Sequence, residues 1–130
     1  MLRVTYCDTQ RELLIDGHRD DYARFREAVR QVLASVDEMV LPVQSAGRTE
    51  VSHLVVRRGP PPTRVSCDQG RIIFSVAPSL REQFLSFIEF PADADLPDSP
   101  IQYHHHFDYI GDDSYIAPDS LPVVFGLERV

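Results

Sequence analysis

The run IQYHHHFDYI, residues 101–110, sets three adjacent histidines among aromatic residues and ends near an aspartate. Histidine titrates near neutrality and ligates metals, so this run could carry a general acid or base, or part of a metal centre. Its composition reads as a β-strand, and strand side chains alternate between two faces. Ile101, Tyr103, His105, Phe107 and Tyr109 then face an apolar core, while Gln102, His104, His106 and Asp108 face the other way. His105 is expected to be a core-edge histidine satisfied by a hydrogen bond.

Two histidines at i and i+2 on a strand can reach one zinc ion, but a catalytic zinc needs a third protein ligand. Asp108 continues the same row, yet an extended strand puts it about 13 Å from His104. His53, in EVSHLVV, would approach the cluster if the two halves of the chain are related by a pseudo-twofold, so the metal reading uses His104, His106 and His53. No HExxH and no paired CxxC accompanies them. Cys7 and Cys67 fall at similar places in strands, where packing accounts for them. Ser114 and Ser120 share a loop with aspartates, but nothing there resembles a nucleophile elbow. Asp112 and Asp113 lie in GDDS, a turn in which aspartate bonds its own backbone.

The elements that position these residues come from hydrophobic periodicity. Tyr22, Phe25, Val29, Val32, Leu33 and Val36 recur at helical spacing, with Asp20 and Asp21 at the start, where they suit the helix dipole. A second helix is expected over APSLREQFLSFIEF, with Leu80, Phe84, Leu85, Phe87 and Ile88 on its buried face and Ser79–Glu82 as a capping box. The stretches RVTYCDTQRELLIDG and RVSCDQGRIIFSV look alike, each followed by one of these helices. The chain reads as two ββαβ repeats, residues 1–58 and 63–110, plus a C-terminal strand, LPVVFGLERV. The expected fold is one α+β domain over residues 1–130, a two-layer sandwich of a mostly antiparallel sheet with two helices on one face. The segments RRGPPPT and PADADLPDSP read as proline-rich connectors.

At 130 residues, 43% hydrophobic and 25% charged, the composition is that of an ordinary globular domain. No apolar run nears the ~20 residues of a membrane span, and no secretory leader is evident in MLRVTYCDTQ, so the expected compartment is the cytoplasm. The net charge of −7 is uneven: residues 1–81 carry 12 arginines against 10 acids, residues 82–130 one arginine against 10 acids. An acidic half of this kind repels nucleic acid and attracts basic proteins.

The stretch YHHHFDYIGDDSYIAPDSLPVVFGL resembles the end of bacterial polymorphic-toxin immunity proteins, the family known as immunity protein thirty-two. The likeness rests on His104, His106, Asp108 and Tyr109, then Ser120, Pro122, Val123 and Val124; LLIDGHRDDYARF adds to it, and together they cover about a third of the chain. Asp108 stands where a glutamate would fit the pattern better. The resemblance implies a protein without catalysis or cofactor that binds a basic toxin domain and blocks it. Its expected partner surface runs through Gln102, His104, His106, Asp108, Asp112, Asp113 and Tyr115, with Tyr115 the most exposed. The alternatives are a zinc-binding protein or metal-dependent enzyme built on His104, His106 and His53, and a self-associating homodimer pairing through an edge strand such as the C-terminal one.

Overall fold

The computed structural model describes residues 1–99 and 102–130; Ile101, expected on the inner face of the histidine strand, lies outside them. The chain opens with a hairpin, β1 (Arg3–Cys7) and β2 (Glu12–Gly17), in which Val4 lies opposite Ile15. Helix α1 (Arg19–Ala34) begins where the backbone N–H of His18 donates to Asp21 Oδ2 at 3.0 Å. It buries Tyr22, Phe25, Val29 and Val32 as its spacing demanded. Strands β3 (Glu38–Pro42), β4 (Gln44–Ala46) and β5 (His53–Arg58) complete the first half. A second hairpin, β6 (Arg64–Asp68) and β7 (Arg71–Val76), leads to α2 (Arg81–Ser86), then β8 (His104–Phe107) and β9 (Val123–Leu127).

The second helix is shorter than its periodicity suggested. Residues Pro78–Leu80 form a 3₁₀ turn, and α2 follows with only six residues. Leu80 takes the N-cap position without a side-chain bond, so the Ser79–Glu82 capping box does not form. Pro78 starts the tight turn, which carries the chain into the helix one residue past Ser79.

The α+β sandwich contains two mixed sheets rather than one mostly antiparallel sheet. The first has the order β4-β1-β2-β9-β8 and the second β3-β5-β7-β6. Four strand pairings are antiparallel. Three are parallel, joining β1 to β4, β2 to β9, and β5 to β7. Each sheet thus repeats one pattern: a hairpin, a parallel join, and a second hairpin. In the first sheet these are β1β2 and β9β8; in the second, β6β7 and β5β3. Each half of the chain therefore donates one hairpin to each sheet. The parallel β4 on β1 also has a counterpart, an isolated parallel bridge between Thr63 and Ile116 beside β6.

This topology corrects three details of the sequence reading. The strand of His53 corresponds in position to β9, and the histidine strand β8 corresponds to β3. The second set of elements accordingly runs on through β9, which is no appendage. Cys7 and Cys67 do not occupy matching places. Tyr6 pairs with Leu13 as Cys67 pairs with Ile72, both on inner-facing positions, while Cys7 has the opposite parity. Finally, β9 lies between β2 and β8 with partners on both sides, so the C-terminal strand offers no free edge for self-association.

Aromatic rings join the two sheets. Phe125 of β9 and Phe74 of β7 lie 6.1 Å apart between ring centres, and Phe25 of α1 packs edge-on against both, at 6.2 and 5.3 Å. Phe84 of α2 closes the cluster against Phe74 and against Phe107 of β8. Beyond α2 the chain is clamped to α1 by Arg19, whose guanidinium donates to Asp95 and to the carbonyls of Phe90 and Pro91. That clamp fixes the segment leading into the histidine strand.

Candidate functional site

Strand β8 pairs with β9 so that His104 lies opposite Gly126, His105 opposite Phe125 and His106 opposite Val124. The alternation expected from sequence holds through the three histidines. The ring of His105 stacks on Phe90, with centres 4.5 Å apart and planes 4° apart, and its Nδ1 lies 2.9 Å from the Phe87 carbonyl. His104 and His106 are exposed on the outer face. The strand stops at Phe107, however, so Tyr109 does not continue the inner row. It is exposed, and its hydroxyl donates to Asp113 Oδ1 at 2.5 Å. That bond to a carboxylate pushes the phenol pKa up.

The two outer histidines have different neighbours. Row by row, Arg3, Asp16, Gly126 and His104 lie side by side across β1, β2, β9 and β8. Asp16 is buried and 3.7 Å from the Arg3 guanidinium, which also pairs with Glu128 at 3.0 Å. Glu128 in turn meets His18 Nε2 at 3.1 Å. The sequence signal for Asp16 was a carboxylate of opposite parity to Leu13 and Ile15, following directly on the apolar run Leu13, Leu14 and Ile15. Its buried position could not be read, because it depends on β9 arriving beside it.

Burial raises the Asp16 pKa, and the Arg3 charge offsets this only in part. The folded state therefore holds this proton more tightly than the unfolded chain does. Stability from this group is present at acid pH and is lost as pH rises through the ordinary aspartate range to the raised folded value. Asp16→Asn should consequently be more stable than the parent at neutral pH, and the gap should close in acid. Thermal melts of both proteins across that range check this; a variant less stable at neutral pH would show that the Arg3 pair outweighs desolvation.

His106 faces a different environment. With Asp108, Asp112 and Tyr115 it lines a cleft of about 200 Å³, whose other walls are Gln83 and Phe87 on the α2 side and Ile110 and Ile116 on the loop. Four of the seven residues expected in a partner surface thus converge. Gln102 and Asp113 are exposed outside the lining, and His104 stands in the row with Asp16. Gln83, Phe87, Ile110 and Ile116 were missed; Phe87 had been assigned wholly to the core, and it is only half-buried. Gly111, with φ +89°, turns the loop so that Asp112 Oδ1 accepts the Ser114 N–H at 2.9 Å. This bonding holds the Asp112 carboxyl below its usual pKa.

The metal ligand set does not assemble in this fold. His53 lies on β5 of the four-stranded sheet, His104 and His106 on β8 of the five-stranded one. Among the described residues no group of three histidine, cysteine or acidic side chains could hold a metal ion. Ser120, considered as a nucleophile, is engaged by the fold: its Oγ accepts the Val65 N–H at 2.9 Å. No helix among the described residues is long and apolar enough to cross a membrane.

No protein-family model matches this chain, and comparisons with curated proteins and with solved structures return no match.

Proposed function

We propose that this chain is a non-catalytic binding protein of the immunity type, which neutralises a toxin domain by covering it. One observation carries the reading. Tyr109, Ile110 and Tyr115 are exposed, the isoleucine by 82%, on the single loop that also bears Asp108, Asp112 and Asp113. Large apolar side chains grouped on a surface mark an interaction site more often than scattered ones do. Aromatic anchors ringed by polar groups are the usual energetic centre of a protein interface. The carboxylates select the partner's sign. They speed encounter with a basic surface and oppose an acidic one. Toxin domains that act on nucleic acids present basic surfaces, and the immunity-protein resemblance lies in this same stretch.

The direct test is calorimetric titration of the purified chain with the toxin domain encoded beside its gene, at low and high salt. Tight one-to-one binding is expected, weakening as salt screens the exposed charges. Tyr115→Ala should weaken it about tenfold, in the range of an interface anchor. An Asp112→Asn/Asp113→Asn double variant should mainly slow association. Absence of binding, or binding indifferent to all three substitutions, would remove this surface from the proposal.

A further inference from the structure

We propose that the cleft between α2 and the loop at residues 108–116 is a socket for one arginine side chain of the protein partner; this deepens the binding reading above and rests on it. Size argues first. At about 200 Å³ the cleft is smaller than the roughly 300 Å³ at which small-molecule pockets begin, and it suits a single long side chain.

The lining argues next. Phe87, Tyr115, Ile110 and Ile116 supply apolar and aromatic walls, and Asp108 and Asp112 supply negative charge. No arginine contributes to that lining, although the chain contains 13. His106 is the one basic side chain in that lining, and no arginine shares it with the two carboxylates, which leaves them able to accept an outside cation. Gln83, on the helix side, has a buried Oε1 with no hydrogen-bond partner.

Chemistry separates arginine from lysine. A guanidinium is planar, stacks on an aromatic face, and offers a fork of N–H donors to a carboxylate. Tyr115 and Asp112, both on the loop side of the lining, supply a ring and a carboxylate for such a group. An ammonium keeps its water more strongly and gains less from the ring. Ile110, at the lip, would be covered as the partner closes over the loop.

The test uses small probes, so its outcome is independent of any toxin. Amide NMR spectra of the full chain are followed during titration with N-acetyl-arginine amide and, separately, N-acetyl-lysine amide. Saturable shifts are expected at Phe87, Asp112 and Tyr115, with arginine about threefold tighter than lysine, the scale of an exposed cation–π contact. Asp112→Asn keeps the acceptor for the Ser114 N–H and removes only the charge; Tyr115→Leu keeps apolar bulk and removes the ring. Each should weaken the arginine response, with the remaining spectrum unchanged. Shifts that fail to saturate, equal responses to both probes, or variants that respond like the parent would overturn the socket. So would a concentration-dependent dimer dispersed by Asp112→Asn, which would give the site to an arginine of a second copy. If the probes bind as expected and the neighbouring toxin domain does not, the socket stands and the toxin reading falls.

Discussion

Phe125→Ala should cost about 4 kcal/mol of folding stability, the middle of the range for removing a buried phenylalanine ring. Phe125 is fully buried on β9, which has a strand on each side, so there is no edge through which the sheet can relax. Its ring touches Phe74 of the opposite sheet and Phe25 of α1. Deleting it removes one of the three rings that meet where the two sheets and α1 come together, and leaves a void between them. Domains of this size are stable by roughly 5–15 kcal/mol, so the variant would be near the edge of folding. Urea unfolding followed by circular dichroism measures the loss. Phe90→Ala serves as the control, because Phe90 is only half-buried, against Tyr22 and His105. A cost for Phe125→Ala no larger than the control's would mean that the two sheets do not share a single core.

The second large effect is expected from adding one methyl group. Gly126 lies between Asp16 and His104 on the outer face of the five-stranded sheet. A Cβ there would overlap Asp16 Oδ1 and come within 3.2 Å of His104 Cδ2. The histidine is exposed and can swing away. Asp16 is buried and tied to Arg3, so it has less room. Gly126→Ala should therefore cost about 2 kcal/mol, the usual size of an overpacking penalty. In an Asp16→Ala background the same substitution should cost less than about half of that, because the overlapping oxygen is gone. Equal costs in both backgrounds would place the strain in the β9 backbone instead. His104 and His106 thus stand in separate surroundings: the first belongs to the row around Gly126, the second to the cleft.

Local features of this fold were legible in the sequence. The β1β2 and β6β7 hairpins follow from alternating apolar residues on either side of short polar turns. The α1 stripe from Tyr22 to Val32 is a helical period with acids at its start. The inward ring of His105 follows from parity alone. What escaped was set by partners far away in the chain. The pairing of Leu13 with Val123 joins residues at opposite ends of the sequence, and no local pattern announces a parallel join. Strands β3 and β4 are short, and Pro42 ends the first of them, so neither shows a full alternation. The Cys-Asp pairs after each Arg-Val drew the two hairpins into a one-residue slip that their inward faces contradict. Tyr109 was assigned inward because the apolar alternation runs past Phe107, where the backbone pairing ends. The cleft was visible only in part: its carboxylates and Tyr115 stood together in the sequence, while its far wall came from α2, some twenty residues earlier.

The crosswise sharing of hairpins has a consequence for dissecting the molecule. A chain cut in the exposed loop at Pro60 and Pro61 would give two fragments, and neither would be a miniature of the whole. The first would hold β1β2 and β3β5 but no strand to link them in one sheet; the second would hold β6β7 and β8β9 in the same predicament. Each fragment is the template on which the other's hairpins must register. Mixed together, they should rebuild both sheets by mutual complementation. Apart, the first would expose the hydrogen-bonding edges of β2 and β5, and the second those of β7 and β9, that the intact chain keeps for its own two parallel joins.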